Sequence, residues 1–325
     1  MNALRIWFPL FRPWSYAATL VPFLVAAAVF GAFRGGDTFR WFAGLAAGLL
    51  LQAAANLLNT WGDEKSGVDS APGAIRTTPQ VSQGLVSLRA VFVAAAACVA
   101  LAFVMGAFLC FRTEQLPSGA VAIRFNSALL AAGAIGLLGA TNYSTGVKFK
   151  YHGLGVPFVS FLMGPLEMFA AASLLNPDFA AECILDLRRL AVFALWSLPV
   201  ASLVGVIMHG NDMRDIPSDR AAGITTLALR LGTRGALAYY CVCHSIPYVV
   251  CALLFAMTRS AAALMPLMSL PLTARTLVTA VRIYRENPIC PGWRRLERAS
   301  GGIHLVFGAL YAFSFTLIPS FPLFP

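Results

Sequence analysis

The sequence predicts an all-α fold, a polytopic membrane bundle of about nine transmembrane helices with its N-terminus in the cytoplasm. Three observations carry this expectation. Of 325 residues, 58% are hydrophobic and 12% are charged, against about 45–50% and about 25% in ordinary soluble domains. The apolar residues gather into long runs. Within each run they are continuous rather than alternating, which suits helices that satisfy their own backbone in lipid and not barrel strands.

The runs fall at roughly 14–33, 41–61, 86–111, 127–142, 153–174, 189–210, 235–257, 260–281 and 300–323. Each is long enough, or nearly so, to cross ~30 Å of hydrocarbon as a helix, the fourth being the shortest. Short connections separate them and no low-complexity linker intervenes, so residues 1–325 read as one domain. With Arg89 and Arg189, at the run edges, counted with the adjoining connections and Arg275 inside the eighth run left out, the N-terminus and the connections after the second, fourth, sixth and eighth runs hold sixteen of the 24 Lys and Arg residues. The other connections hold seven, and this split places the N-terminus on the cytoplasmic side.

The same distribution accounts for the net charge of +10. No basic stripe carries interleaved aromatics, so a nucleic-acid partner is not expected. The seven cysteines lie mostly in apolar runs, and Cys241 and Cys243 lack a second pair at zinc spacing; neither a zinc site nor a disulfide framework is expected. The opening MNALRIWFPLFRPWSY lacks a small-residue cleavage signature and reads as mature sequence. The expected setting is the lipid bilayer, the cytoplasmic membrane if the source is bacterial. No protein partner is deducible.

Two connections are acidic as well as basic. The one after the second run, NLLNTWGDEKSGVDS, holds Asn59, Asp63, Glu64 and Asp69. The one after the sixth, HGNDMRDIPSDRAAG, holds Asn211, Asp212, Asp215 and Asp219. In both, an Asn precedes an Asp by four residues, and four intervening spans put the two on one membrane face. This resembles a weak internal repeat. A single acidic loop is ordinarily just solvated; two with the same offset on one face argue for a shared ligand. Carboxylates brought together repel, and Mg2+ relieves this with hard oxygen ligands shared between protein carboxylates and substrate phosphates. Asn59, Asp63, Asp69, Asp212, Asp215 and Asp219 are therefore the candidate metal ligands. Asp212, Asp215 and Asp219 fall on one helical face, but Pro217 favours a short helix beginning near Ile216. That reading would turn Asp212 away and make it the weakest candidate.

Cationic partners for a diphosphate are also present. Arg76 follows the first acidic loop, Arg214 sits inside the second, and the connection NYSTGVKFKYHGLG supplies Tyr143, Lys148, Lys150 and Tyr151. Such cations can bind phosphate oxygens and stabilise a departing diphosphate, although positive-inside bias alone would also place them there. Glu167, in FLMGPLEMF, is a carboxylate within a predicted span and a functional candidate on that ground.

NTWGDEKSGVD and NDMRDIPSDRAAGITTLALRLG resemble the two aspartate-rich motifs of the UbiA superfamily of membrane prenyltransferases. The spacing to Asp69, the run DRAAGITTLALRLG and the segment YSTGVKFKYHGLGVPF are most similar to the branch that prenylates 1,4-dihydroxy-2-naphthoate in menaquinone synthesis. The resemblance implies a nine-helix fold, a Mg2+ cofactor, a prenyl diphosphate donor and an aromatic acceptor. It implies catalytic roles for Asp63, Asp215, Lys148 and Tyr143, and substrate contacts for Arg76, Lys150, Asn211, Arg214 and Glu167. In that chemistry diphosphate leaves an allylic donor and the carbocation attacks an electron-rich ring. Thr60 stands where many members carry Asp, with Glu64 as the candidate replacement, and the segment from Tyr143 to Gly153 is one residue short of the usual pattern. This leaves open which of Lys148 and Lys150 meets phosphate. 4-Hydroxybenzoate, homogentisate and a chlorophyllide are alternative acceptors. A cation-coupled transporter is the competing class, although transporters place coupling sites near the bilayer midplane.

Overall fold

A computed structural model describes residues 3–31, 37–68, 78–286 and 293–318. Among them, seven helices are long and apolar enough to cross a bilayer, and two shorter apolar helices, Ala17–Val29 and Ser127–Asn142, fall on the first and fourth predicted runs. In chain order the helices are α1 (Ala3–Phe11), α2 (Ala17–Val29), α3 (Thr38–Lys65), α4 (Leu88–Leu109), α5 (Ser127–Asn142), α6 (Gly155–Phe161), α7 (Glu167–Leu175), α8 (Phe179–Leu185), α9 (Leu187–Ala221), α10 (Leu227–Thr258), α11 (Leu270–Glu286) and α12 (Arg294–Leu317). A π-turn, Leu162–Leu166, joins α6 to α7.

Local chemistry sets several boundaries. The side chains of Asp37, Ser87, Asn126 and Asp186 accept from backbone N–H groups at the starts of α3, α4, α5 and α9, which satisfies donors left open in a first turn. Gly232, at φ 66°, breaks the first turn of α10 from its membrane-crossing part, so the predicted start near 235 marks the span rather than the helix. Three elements were not expected. α8 falls between the fifth and sixth runs. α1 presents Leu4 and Phe8 to the surroundings and buries Leu10. Residues 111–125 form an antiparallel hairpin of β1 (Phe111–Gln115) and β2 (Val121–Phe125), closed by a turn with Gly119 at φ 79°. Its first strand, Phe-Arg-Thr-Glu-Gln, begins where the third apolar run ends and carries no alternation of apolar and polar residues that would mark a strand.

α9 corrects the reading of Pro217. The helix runs unbroken from Leu187 to Ala221 through both Pro199 and Pro217. Within the same turn the Ser218 hydroxyl donates to the Asp215 carbonyl at 2.9 Å. Asp212, Asp215 and Asp219 therefore share one continuous helix.

α2, α9, α10 and α12 build the densest part of the bundle, around the fully buried Trp196, Tyr240, Phe307 and Tyr311. The Tyr311 hydroxyl donates to the Trp196 carbonyl at 3.0 Å. α4 is mostly outward-facing, with Phe103, Val104 and Phe108 exposed as a lipid-contacting surface requires. Between this layer and the dense part lies a cavity of about 900 Å3.

At the end of α4, buried Arg40 donates to the carbonyls of Leu109 and Phe111, which lie beyond the reach of intrahelical donors. Arg40→Ala leaves these acceptors without their donor. It is expected to cost about 2 kcal/mol of stability, read as a lower thermal midpoint with function retained at low temperature.

Candidate functional site

One end of the cavity is charged. α3 brings a stripe of polar side chains to its wall: Gln52, Asn56, Asn59 and Asp63, spaced four, three and four residues apart. Asp63, 6% exposed, ends the stripe. Its carboxylate accepts from Lys150 Nζ at 2.7 Å and from the Tyr151 hydroxyl at 2.8 Å. Asn59 lies beside it. With its nitrogen facing Ser144 Oγ (2.6 Å) and Asp63 Oδ2 (3.1 Å), its oxygen accepts from Arg12 Nη1 at 3.1 Å.

The basic connection reaches Asp63 because α3 offers no side chain at Gly62. A Cβ there would lie 2.7 Å from the Ser144 carbonyl oxygen. The next residues form a tight turn, Phe149–Tyr151, entered through Lys148 at φ 57°. The turn is tied to the second acidic segment by the Thr225 N–H donating to the Tyr151 carbonyl at 3.1 Å and by Arg230 Nη2 donating to the His152 carbonyl at 2.8 Å. Three connections distant in sequence thus meet at one end of the bundle, as span parity requires.

The turn separates the two lysines. Lys150 lines the cavity, whereas Lys148 points to the rim, with Nζ 3.4 Å from Ser66 Oγ and 5.5 Å from the Tyr151 ring centre. Burial disfavours the Lys150 charge, but the adjoining Asp63 carboxylate outweighs it and holds the ammonium well above its ordinary range. Burial first, and the Asp63 charge second, push the Tyr151 phenol up. Tyr143 is buried in the cavity wall and its phenol is likewise raised by burial.

α9 supplies the opposite wall with Asn211, Asp212, Asp215 and Asp219. Arg214 fixes Asp215 bidentately, Nε to Oδ1 at 2.6 Å and Nη2 to Oδ2 at 2.5 Å, and its Nη1 donates to Asn211 Oδ1 at 3.0 Å and Glu297 Oε2 at 2.6 Å. Asp212 and Asp219 are 6% and 2% exposed, and neither forms an ion pair among the described residues. Asp212 is no outlier; it shares the cavity wall with the other two. Asp69 and Arg76 lie outside the described residues. Among those described, no three carboxylate, His or Cys side chains form a ready-made metal cage.

Glu167 does not join this cluster. It lines the cavity at the level of Gly48, whose built Cβ would lie 3.2 Å from Glu167 Oε1. Gly48 precedes Asp63 by fifteen residues on α3, about 22 Å of helix rise. The π-turn containing Pro165 precedes it, and its Oε2 has no hydrogen-bond partner. Thr60 is buried and occupied by Arg12 Nη2 at 3.2 Å and Thr78 Oγ1 at 3.5 Å, while Glu64 is half-exposed and lines no part of the cavity.

Residues 19–301 match the model of the UbiA prenyltransferase family. The chain belongs to this family. It is a membrane prenyltransferase, and this membership sets the transporter aside. It is 30% identical to UbiA prenyltransferase domain-containing protein 1 of Danio rerio over 95% of this chain and 83% of that one. Against the Homo sapiens protein of the same name it is 29% identical over 95% and 82%. Its fold is similar to a UbiA homolog from Archaeoglobus fulgidus solved with GPP and Mg2+, at TM-score 0.63 and 18% identity over 96% of this chain and 99% of that one. An apo UbiA homolog from Aeropyrum pernix K1 gives 0.60 and 20% over 94% and 97%.

The sequence reading missed Tyr151 as a partner of Asp63, the polar stripe at Gln52 and Asn56, and Glu297. The stripe was legible as helical spacing of polar residues inside an apolar run. Glu297 carried no such signal, because RRLER reads as a positive-inside segment.

The two lysines give a direct test. Lys150→Ala is expected to lower kcat/KM by on the order of 100-fold, as loss of a buried charge at the reacting end does. Lys148→Ala is expected to stay within about threefold, as for an exposed cation. Steady-state rates of both purified variants check this.

Proposed function

We propose that this chain catalyses Mg2+-dependent transfer of a polyprenyl group from a prenyl diphosphate to an aromatic acceptor within the membrane, with 1,4-dihydroxy-2-naphthoate in menaquinone synthesis as the acceptor. One observation carries the reading. Carboxylates from α3 and α9, together with Lys150 and Arg214, line the same end of a cavity whose deeper walls are mostly apolar. Hard oxygen donors facing one another suit Mg2+, and two buried carboxylates without an ion-pair partner, Asp212 and Asp219, favour an added cation. Because Mg2+ commonly shares its coordination between one or two carboxylates and substrate phosphates, a ready-made cage is not required. The Archaeoglobus fulgidus homologs solved with GPP or DMAPP and Mg2+ support the same pairing of donor and metal.

In this reading Asn59, Asp63, Asp212, Asp215 and Asp219 hold the ion, with Asp69 as a further candidate. Bound there, Mg2+ supplies positive charge to the diphosphate as it departs. Lys150 and Arg214 bind phosphate oxygens, with Arg76, which follows the first acidic segment in sequence, as a further candidate, and Asn211 orients Arg214. The buried Tyr143 phenol, which burial keeps protonated, donates toward developing negative charge. Lys148 at the rim meets the diphosphate on entry. The donor's isoprenoid chain lies along the apolar walls, which keep water from the allylic cation. The animal relatives named UbiA prenyltransferase domain-containing protein 1 match over most of their length, and the acceptor assignment rests on this chain's own motif spacing.

The decisive experiment incubates purified protein with Mg2+, prenyl diphosphates of several lengths and the acceptors 1,4-dihydroxy-2-naphthoate, 4-hydroxybenzoate and homogentisate, with mass spectrometry of the lipid products. Prenylated naphthoate is the expected product; a prenylated benzenoid alone would reassign the acceptor. Asp63→Asn and Asp215→Asn are expected to lose at least ~100-fold in Mg2+-dependent turnover while remaining folded.

Glu167 stands too deep to touch the diphosphate, and the chain of the donor passes beside it. A carboxyl with one oxygen lacking a hydrogen-bond partner disfavours apolar contact, so Glu167 restricts how much chain lies beyond it. Glu167→Leu is expected to shift the preference toward longer prenyl diphosphates by about tenfold, the equivalent of one buried polar mismatch. Competition between donors of different length measures it, and unchanged Mg2+ dependence separates the effect from the charged mouth.

A further inference from the structure

Arg214 is shared between two carboxylates on different helices. Asp215, its neighbour on α9, takes Nε and Nη2; Glu297, on the first turns of α12, takes Nη1 at 2.6 Å. The guanidinium is 6% exposed, and the Asp215 and Glu297 side chains are 23% and 19% exposed toward the cavity they both line. α9 and α12 are in contact here: a Cβ built at Gly210 would sit 3.4 Å from the Glu297 Cα, an ordinary van der Waals distance.

Charge counting gives the arrangement a consequence. A bidentate Arg214–Asp215 pair alone is neutral and engages both carboxylate oxygens of Asp215. With Glu297 attached to the same guanidinium, the triad carries a net charge of −1, and Arg214 divides its attraction between two helices. Asp215 then keeps negative charge and free lone pairs facing the cavity.

We propose that Glu297 is a positioning residue that draws Arg214 toward α12 and so leaves Asp215 able to accept the metal–diphosphate unit. The inference rests on the reading that Mg2+ and diphosphate bind at this mouth. Glu297 acts through Arg214 and touches no reacting atom.

The alternative is that Glu297 only fastens α12 to α9. The two roles separate in a binding measurement that involves no turnover. Purified full-length protein is titrated with Mg2+ in the presence of geranyl thiolodiphosphate, whose thiolate bridge resists departure, and ligand binding is followed by the thermal shift. Glu297→Gln is expected to fold, since Arg214 keeps Asp215 as its counter-ion, and to raise half-saturating Mg2+ by about tenfold, the loss of one charge-assisted hydrogen bond. Glu297→Asp, which keeps the charge on a shorter arm, is expected to recover part of that loss and serves equally if the Gln variant does not fold. In an Asp215→Asn background, Glu297→Gln is expected to add nothing further. A lowered thermal midpoint of the unliganded protein with unchanged Mg2+ half-saturation would overturn the proposal. So would tighter binding, which would mean that Glu297 repels the diphosphate. If the wild-type protein itself shows no Mg2+-dependent shift, the underlying reading of the mouth fails along with it; a normal wild-type response with an unaltered Gln variant sinks only the role of Glu297.

Discussion

Carboxylates cannot crowd the mouth of a low-dielectric cavity without compensating cations, and this constraint organises the charged end of the bundle. Lys150 answers Asp63, with the Tyr151 hydroxyl completing the second oxygen. Arg214 answers Asp215 and Glu297 together. Asp212 and Asp219 remain buried in the wall without an ion pair among the described residues. These two carboxylates thus lack a direct counter-ion among the described residues. In the proposed reading Mg2+ supplies one, while Lys150 and Arg214 contribute charge to the diphosphate that the ion alone does not balance.

The fold holds these groups in register through backbone contacts rather than through the charges themselves. The Thr225–Tyr151 hydrogen bond and the reach of Arg230 to the His152 carbonyl join the basic turn to the α9–α10 connection and the start of α10. Gly62 lets the chain leading into that turn, at Ser144, lie directly on α3. Fixed in this way from two sides, Lys150 has little freedom to leave Asp63, which limits the entropy lost when a ligand orders it.

Much of this was legible in the sequence, and the failures have identifiable causes. Continuous apolar runs located the spans because lipid demands them, and the Asn-to-Asp offset located the mouth because helical connections on one side of a bilayer must meet there. Lys148 and Lys150 were indistinguishable because their placement depends on Lys148 taking a left-handed backbone conformation, which sends one side chain to the rim and the other inward. Pro217 misled because proline is ordinarily confined to a helix's first turn, whereas here α9 continues through it to Ala221 and keeps all three aspartates on one axis. Glu167 was correctly singled out as an intramembrane carboxyl, but sequence carries no depth: only the position of Gly48 beside it shows how far it stands from Asp63. Glu297 was invisible because its importance lies in a partner 83 residues away.

The polarity of the cavity changes along α3, and that gradient bears on how a carbocation would be handled. Asp63 and Asn59 stand at the mouth; Asn56 and Gln52 follow below. The latter two spend their donors on Phe11 and Ser15, and Gln52 accepts from Thr19. These amides are thus committed to pinning the α1–α2 corner against α3 and have few free donors with which to hold water inside. Their carbonyl dipoles and the surrounding apolar walls give a lining that tolerates positive charge. A wall made only of aliphatic side chains would exclude water equally well but would not fix the corner that carries Arg12 to Asn59. The polar stripe therefore joins two roles, fixing the charged mouth and committing its own amides to protein partners, on a single helix face.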